Sequence, residues 1–468
     1  MGVEVRALSE AATWQRIQFY DEKTDGIKRT PQIIRRVPLP DCMLNSFLKL
    51  DGVGRAVFGA WQWVAIELMI LFCYLVRRLP IAFKSFVLMK AWRVYLRCYC
   101  LLPVSWRTGA LPETCSVEAH ALQFVLSWMR SLPVPLWWVR FLLSFVSTGS
   151  PPAGARTDWI AVSKLHGLRS AYLHTSGAAS SEEKRNVLFW AYGGAFVGGD
   201  VESYLGTAER YGRRLGCDVF VVAMRRCPEH SVQDVVLDVY HAYEWLLERV
   251  APENVVILGL SSGAGATLRM LQLSGGEAAE RDAFFGDRCR GRPLRPAPQP
   301  RGAAFLGAFV EYTKVTKSMW TNAFKDWLVT PGVVNLLVDI GDQICGKENR
   351  VACSPLYHAM GGICPLFLSV SNHECLIDEN LELAEKAREA GVDVAMSLQP
   401  GLCHVFQLLT AFLPEAVSEE LRICDWIRGR FRAPPPADGG RLPSRRTWED
   451  EDDLDCPGLP GVPQSQCT

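Results

Sequence analysis

The sequence predicts an α/β fold, a mostly parallel eight-stranded sheet covered by helices, preceded by a helical and strongly hydrophobic N-terminal region. Three observations carry that expectation. Between Asp158 and Gln399, eight short apolar runs alternate with amphipathic helical stretches, the pattern of strands buried on both faces. Hydrophobic residues make up 49% and charged residues 21% of the 468-residue chain, enough for a sizeable core. The stretch "VVILGLSSGAGATLRML" (residues 255–271) passes from an apolar strand to a helix through serines and glycines, a strand–turn–helix unit.

The elements follow in order. "DWIAVSKL" from Asp158 and "RSAYLHT" from Arg169 read as a starting pair of strands. "NVLFWAY" from Asn186, "CDVFVVAM" from Cys217 and "ENVVILGL" from Glu253 continue the series. "GAAFLGAFV" from Gly302, "CPLFLSVS" from Cys364 and "VDVAMSLQ" from Val392 complete it. The Pro/Gly/Ser stretch 147–157 marks the boundary of a domain spanning 151–432. Within it, residues 276–301 read as a long basic Pro-rich insertion loop, and residues 433–468 as a disordered acidic tail.

The N-terminal part divides into a polar segment, 1–56, and a hydrophobic region, 57–150. Residues 57–76 approach the ~20 residues a membrane helix needs. Glu67 lies inside that run, and a mid-helix acid costs about 2.5–3.5 kcal/mol on insertion scales. Two readings stand, a membrane span or a buried lid helix. Next, Lys90, Arg93 and Arg97 share one helical face beside Phe86, Met89, Val94 and Leu96, which suits a helix lying on a membrane surface or a lid helix with a solvated stripe. Eight of the fifteen tryptophans precede residue 150, as at a membrane interface or a greasy substrate tunnel. Basic residues follow residues 57–76 more densely than they precede them, so a span would leave the domain beyond it in the cytosol.

Lys+Arg and Asp+Glu balance at 50 each, which gives no indication of a nucleic-acid partner. The sixteen cysteines lie singly apart from Cys98 and Cys100, without metal spacing, and read as free thiols of a reducing compartment. Arg6 stands where a myristoylation signal has Ser or Thr, and "SQCT" does not fit a prenylation signal.

Chemistry concentrates in the strand–turn–helix unit. Gly259-Leu260-Ser261-Ser262-Gly263 fits G-x-S-x-G, where small neighbours let a nucleophilic serine occupy a sharp turn. Ser261 is the candidate nucleophile, and Ser262 contributes a backbone N–H to an oxyanion hole. The serine needs a base and an orienting acid. His404 in "QPGLCHVF" follows the last strand, and Glu374 in "SNHECLID" follows the strand before it, so all three fall at one sheet edge. Asp378 is the rival acid, read as a cap of the following helix, and His373 as an exposed loop neighbour. "FWAYGGAFVGGD" (residues 189–200) supplies small residues whose N–H groups, those of Gly193 and Gly194 above all, can approach an oxyanion.

These motifs resemble the hormone-sensitive-lipase family of α/β hydrolases, which includes arylacetamide deacetylase-like esterases. "AYGGAFVGGD" is similar to that family's His-Gly-Gly-Gly loop, "MRRCPEH" from Met224 to its Tyr-Arg-Leu-Ala-Pro-Glu-His strand end, and "GLSSGAG" to its Gly-Asp-Ser-Ala-Gly-Gly elbow. "SNHECLIDE" and "GLCHVF" resemble its acid and histidine loops. The likeness spans about residues 155–430. It implies the α/β-hydrolase fold with helices before the core forming a lid, and hydrolysis of carboxylic esters of lipophilic molecules without metal or organic cofactor. The rival class is a ligand-binding homologue that has lost turnover. It rests on Tyr192 in place of the loop histidine and Ala195 in place of the third glycine. Leu260 replaces an aspartate, Glu374 the commoner aspartate, and Arg225 and Glu229 match residues that pin the strand end.

Overall fold

In a computed structural model, which describes residues 81–102, 111–127, 136, 140, 152–162, 167–176, 185–289 and 294–432, the eight apolar runs pair into one sheet. The strands are β1 (Arg156–Ile160), β2 (Ser170–His174), β3 (Val187–Ala191), β4 (Asp218–Val221), β5 (Val255–Leu260), β6 (Gly302–Leu306), β7 (Leu366–Ser371) and β8 (Val394–Gln399). Their order is β1-β2-β4-β3-β5-β6-β7-β8. β2 pairs antiparallel with β1 and β4, and every other neighbouring pair is parallel. All strands from β3 to β8 therefore end at the same edge. Residues of β3, β5, β6 and β7 are buried throughout, which is why these segments read as continuous apolar runs rather than alternating ones.

Several strands stop sooner than their apolar runs. Beyond Val221 the chain leaves the ladder after Val222 N–H donates to the Trp190 carbonyl (3.0 Å). The run from Gly302 ends at Leu306 because Gly307 takes φ 54°, which turns the chain out of the sheet.

The helices between strands are α3 (Val201–Leu215), α4 (Val232–Leu247), α5 (Ser262–Gly275) and α6 (Ala278–Phe285), followed after β6 by α7 (Lys317–Thr321), α8 (Pro331–Cys345) and α9 (Arg350–Cys353). α10 (Ile377–Glu389) joins β7 to β8, and α11 (Pro414–Arg432) lies across β5, β6 and β7. The starts are specified locally. Asp200 caps α3 by accepting from Ser203 N–H (2.7 Å), and Ser231 with Asp234 forms a capping box on α4.

The stretch 276–301 is not a loop throughout. Residues 278–285 form α6 because Phe284 and Phe285 are buried, Phe285 meeting Tyr240 edge to face, and this apolar pair lies among charges that mask it in the sequence. Residues 294–301 are tied down by Tyr240 and Tyr243, whose hydroxyls donate to the carbonyls of Arg295 (2.6 Å) and Pro298 (2.8 Å).

Among the described residues, α1 (Ile81–Leu101) and α2 (Val117–Ser127) precede the sheet. With Trp92, Tyr99 and Leu122 they build a second apolar cluster that includes Leu402, Cys403 and Phe406. Ser116 fastens this region to α11, its N–H and hydroxyl donating to the Glu415 carboxylate (2.6 and 2.9 Å). The other side of α1 is open: Phe86 is 60% and Val94 61% exposed, beside exposed Lys90, Arg93 and Arg97. Residues 57–76, the candidate span, lie outside the described residues, as does the tail from 433. Among the described residues no helix is long and apolar enough to cross a membrane.

The start of α10 locks onto the chain leaving β6. Asn380 exchanges hydrogen bonds with Ala308, its Oδ1 accepting at 3.0 Å and its Nδ2 donating at 2.8 Å. Glu379 accepts from Val310 N–H (3.1 Å), and its second oxygen is buried without a partner. Burial pushes the Glu379 carboxyl well above its ordinary range, with the Val310 bond opposing. A raised folded-state value favours the fold below the unfolded carboxyl range, and that stability is lost as pH rises through the folded value. Glu379→Gln mimics the protonated form. Its advantage over wild type in denaturant melts should therefore widen from pH ~4.3 upward by about 1.4 kcal/mol per pH unit until the folded value is reached. A gap that does not change with pH would contradict the burial assignment.

Candidate active site

The site assembles at the shared strand edge. Ser261 follows the last residue of β5 and adopts φ 48°, ψ −118°, outside the regions an L-residue prefers. Three backbone bonds hold it there. Its N–H donates to the Leu306 carbonyl (2.9 Å), and its carbonyl accepts from Gly265 (3.2 Å) and Phe309 (3.1 Å). The small neighbours have a steric reason. A Cβ on Gly263 would fall on the carbonyl oxygens of Ala191 and Tyr192, where α5 passes the end of β3.

His404 follows β8, and its Nε2 lies 2.9 Å from Ser261 Oγ. Glu374 follows β7, with its carboxylate Oε2 3.9 Å from His404 Nδ1. That separation exceeds a hydrogen bond, yet Nδ1 and the other carboxylate oxygen are both buried without another partner. Such contacts are often long in free enzymes and tighten around a substrate. Glu374 is fully buried, and Ser371 N–H donates to its Oε2 (3.3 Å). Burial raises the Glu374 carboxyl, the His404 imidazole opposes that rise, and the charge of Asp326 adds to it. The structure thus brings together Ser261, His404 and Glu374.

The rival acid stands elsewhere. Asp378 Oδ2 accepts from Ser318 N–H (2.7 Å) at the first turn of α7, so it serves that helix and not its own, contrary to the expected cap on α10. His373 is half-buried rather than exposed, with its Nδ1 buried and burial lowering its basicity.

The glycine-rich turn after β3 sits against Ser261. A Cβ on Gly193 would come within 3.1 Å of Ser261 Cβ. Gly194 has φ 145°, Ala195 φ 55° and Phe196 φ 63°. Ala195 therefore takes the left-handed conformation at a cost of about 1–2 kcal/mol, and the departure from glycine leaves the turn and its N–H in place. Among the described residues, the N–H groups of Gly193, Gly194 and Ala195 meet no acceptor, so this turn presents a run of free donors. Tyr192 is absorbed as a brace. It stacks on Tyr204 (5.4 Å, 14°), and the Tyr204 hydroxyl donates to the Gly193 carbonyl (3.3 Å). Arg140 holds the same turn from outside the sheet, its Nε donating to the Val197 carbonyl (2.7 Å) while its fork grips Glu229 (2.6 and 2.9 Å). Arg225 pins the end of β4 to Asp238 and Asp234.

Sequence reasoning passed over Gly307. A Cβ there would lie 2.8 Å from His404 Cε1 and Nδ1, so the imidazole occupies the space that only glycine leaves. Its signal was a glycine directly after a buried strand. A mainly apolar cavity lies nearby, lined by residues such as Phe309, Met319, Val334 and Leu376 together with the charged Glu311, Lys314 and Arg350; Ser261, Glu374 and His404 do not line it, and Phe309 and Leu376 connect it to the elbow and the acid loop.

A serine in a strained strand–helix turn, with histidine and acid on later strand ends of a mostly parallel sheet, defines the class of α/β hydrolases. Residues 188–408 match the family model described as alpha/beta hydrolase fold, and this part of the chain is an alpha/beta hydrolase domain. It is 26% identical over 262 residues to an esterase of Acinetobacter venetianus, covering 54% of this chain and 76% of that protein. It is 24% identical over 332 residues to the carboxylesterase/phospholipase LipF of Mycobacterium tuberculosis, covering 69% and 82%. A crystal structure of an esterase from the bacterial hormone-sensitive lipase family superposes with TM-score 0.55 at 24% identity, over 68% of this chain and 99% of that one. The esterase EstE5 superposes with TM-score 0.56 at 22% identity, with the same coverage.

Gly307→Ala should lower turnover of a short-chain ester by ~100-fold through displacement of the imidazole, while the protein keeps its fold by circular dichroism. Unchanged turnover would show that the His404 ring does not depend on that space.

Proposed function

We propose that this carboxylic ester hydrolase cleaves esters of lipophilic molecules through an acyl-enzyme on Ser261. The observation that carries the proposal is the 2.9 Å contact between His404 Nε2 and the hydroxyl of a serine held at φ 48°. Ser261 Oγ attacks the acyl carbon as its proton passes to Nε2. The oxyanion is held by N–H groups of Gly193, Gly194 and Ser262, the last at the N-terminus of α5, where the helix dipole favours negative charge. As the intermediate collapses, His404 protonates the departing alcohol; it then deprotonates the water that releases the acid. Glu374 orients the imidazole and stabilises the imidazolium. Relatives named esterases and carboxylesterases support the reaction class, and the mainly apolar cavity reached through Phe309 supports a lipophilic substrate.

The same proposal places the enzyme on a membrane, its catalytic domain facing the cytosol. The exposed face of α1, with Phe86 and Val94 beside Lys90, Arg93 and Arg97, supports contact with anionic lipid. Residues 57–76 add a second attachment if they span.

Ser261→Ala should abolish labelling by a fluorophosphonate probe and lower ester turnover by about 10⁴-fold or more, whereas Ser262→Ala should keep most activity because only its N–H takes part. Equal losses would refute these roles. In cell fractionation the protein should sediment with membranes. Resistance of the pellet to carbonate and high salt would support the span, and release by salt alone would support the surface helix. Recovery in the soluble fraction at low salt would contradict both.

A further inference from the structure

The segment entering and following α7 presents Ser318, Asn322 and Asp326, spaced four residues apart and all buried, toward the two loops that carry Glu374 and His404. Ser318 Oγ donates to the Cys375 carbonyl (2.7 Å) and accepts from Asp378 N–H (3.2 Å). Asn322 Nδ2 donates to the carbonyls of Asn372 (3.0 Å) and Glu374 (3.1 Å). Asp326 Oδ2 accepts from Cys375 N–H (3.1 Å) and its Oδ1 from His404 N–H (3.2 Å). Oδ1 also accepts from Leu328 (3.0 Å) and Val329 (3.1 Å), which fixes the carboxylate within its own turn.

From this geometry we infer that Ser318, Asn322 and Asp326 form a positioning brace that sets the distance and orientation of Glu374 relative to His404. The inference rests on the triad proposed above. Four backbone groups around the acid find their partners on the brace: the carbonyls of Asn372, Glu374 and Cys375, and the N–H of Cys375. Asp326 alone reaches both loops, since one carboxylate accepts from the residue after the acid and from the histidine itself. Glu374 and His404 stand 3.9 Å apart, so a small shift of either loop decides whether they engage. None of the three brace residues touches the reacting atoms. They act through the backbone.

The test compares purified Asp326→Asn and Asn322→Asp with wild type on a short-chain p-nitrophenyl ester, each rate normalised to active sites titrated with a fluorophosphonate. Asp326→Asn turns an amide donor toward N–H groups, and Asn322→Asp turns a carboxylate toward carbonyls. In both variants kcat per titrated site should fall ~10–100-fold, with KM within about twofold of wild type. Loss of melting temperature with kcat per titrated site unchanged in either variant would overturn the brace, because a merely structural role moves stability and not the chemistry of folded molecules. If one variant yields no folded protein, the other decides. Ser261→Ala is run alongside. Persistent labelling there would refute the triad itself, whereas a dead Ser261→Ala beside fully active brace variants would refute the brace alone.

Discussion

Ser261 holds a backbone conformation that costs of order 1–3 kcal/mol for a non-glycine residue, and the surrounding architecture is arranged to enforce it. The strain persists because three backbone bonds, to Leu306, Gly265 and Phe309, tie the residue to β6, to α5 and to the chain leaving β6. Those bonds require α5 to lie close to the ends of β3 and β5, which in turn requires Gly259 and Gly263 to carry no side chain. The result is a hydroxyl raised at the sheet edge with the helix N-terminus behind it.

Parallel topology does the next part. Because β5, β7 and β8 run in the same direction, the residues after each strand meet at one edge, where Ser261 joins Glu374 and His404, both more than a hundred residues beyond it in sequence. Their final geometry depends on side-chain and loop contacts from outside the sheet. Gly307 leaves room for the imidazole, and the N-terminal helices pack Trp92, Tyr99 and Leu122 into the cluster that contains Leu402, Cys403 and Phe406 around the histidine. The N-terminal helices thereby form part of the wall behind His404, and α1 turns its Phe86 and Val94 outward.

What the sequence discloses divides along the same line. All eight strands are legible, as are Ser261, Glu374 and His404, which meet at the sheet edge, because apolar runs, the serine elbow and loops after strands are local patterns. The sequence hides contacts between distant segments. Asp326 reads as an ordinary acid, yet it is fully buried among N–H groups from two loops. Arg140 gives no local sign that it grips the turn after β3. Asp378 has the position of a helix cap, and only the approach of α7 shows which helix it serves. α6 is not legible because its buried face joins two adjacent phenylalanines to a charged residue, Arg281, so no apolar helical periodicity marks it. The departures at Tyr192 and Ala195, on which the ligand-binding alternative rests, are accommodated by stacking on Tyr204 and by a left-handed residue.

The most direct measurement is a crystal structure of the enzyme inactivated by a fluorophosphonate, with the labelled peptide sequenced in parallel by mass spectrometry. The expected result is phosphorus bonded to Ser261 Oγ, its oxyanion within hydrogen-bond distance of N–H groups of Gly193, Gly194 and Ser262, and Glu374 closed onto His404 Nδ1. An adduct on Ser262 or on a residue outside the elbow, or an oxyanion pointing away from the turn after β3, would contradict the assignment of Ser261 as the strained nucleophile.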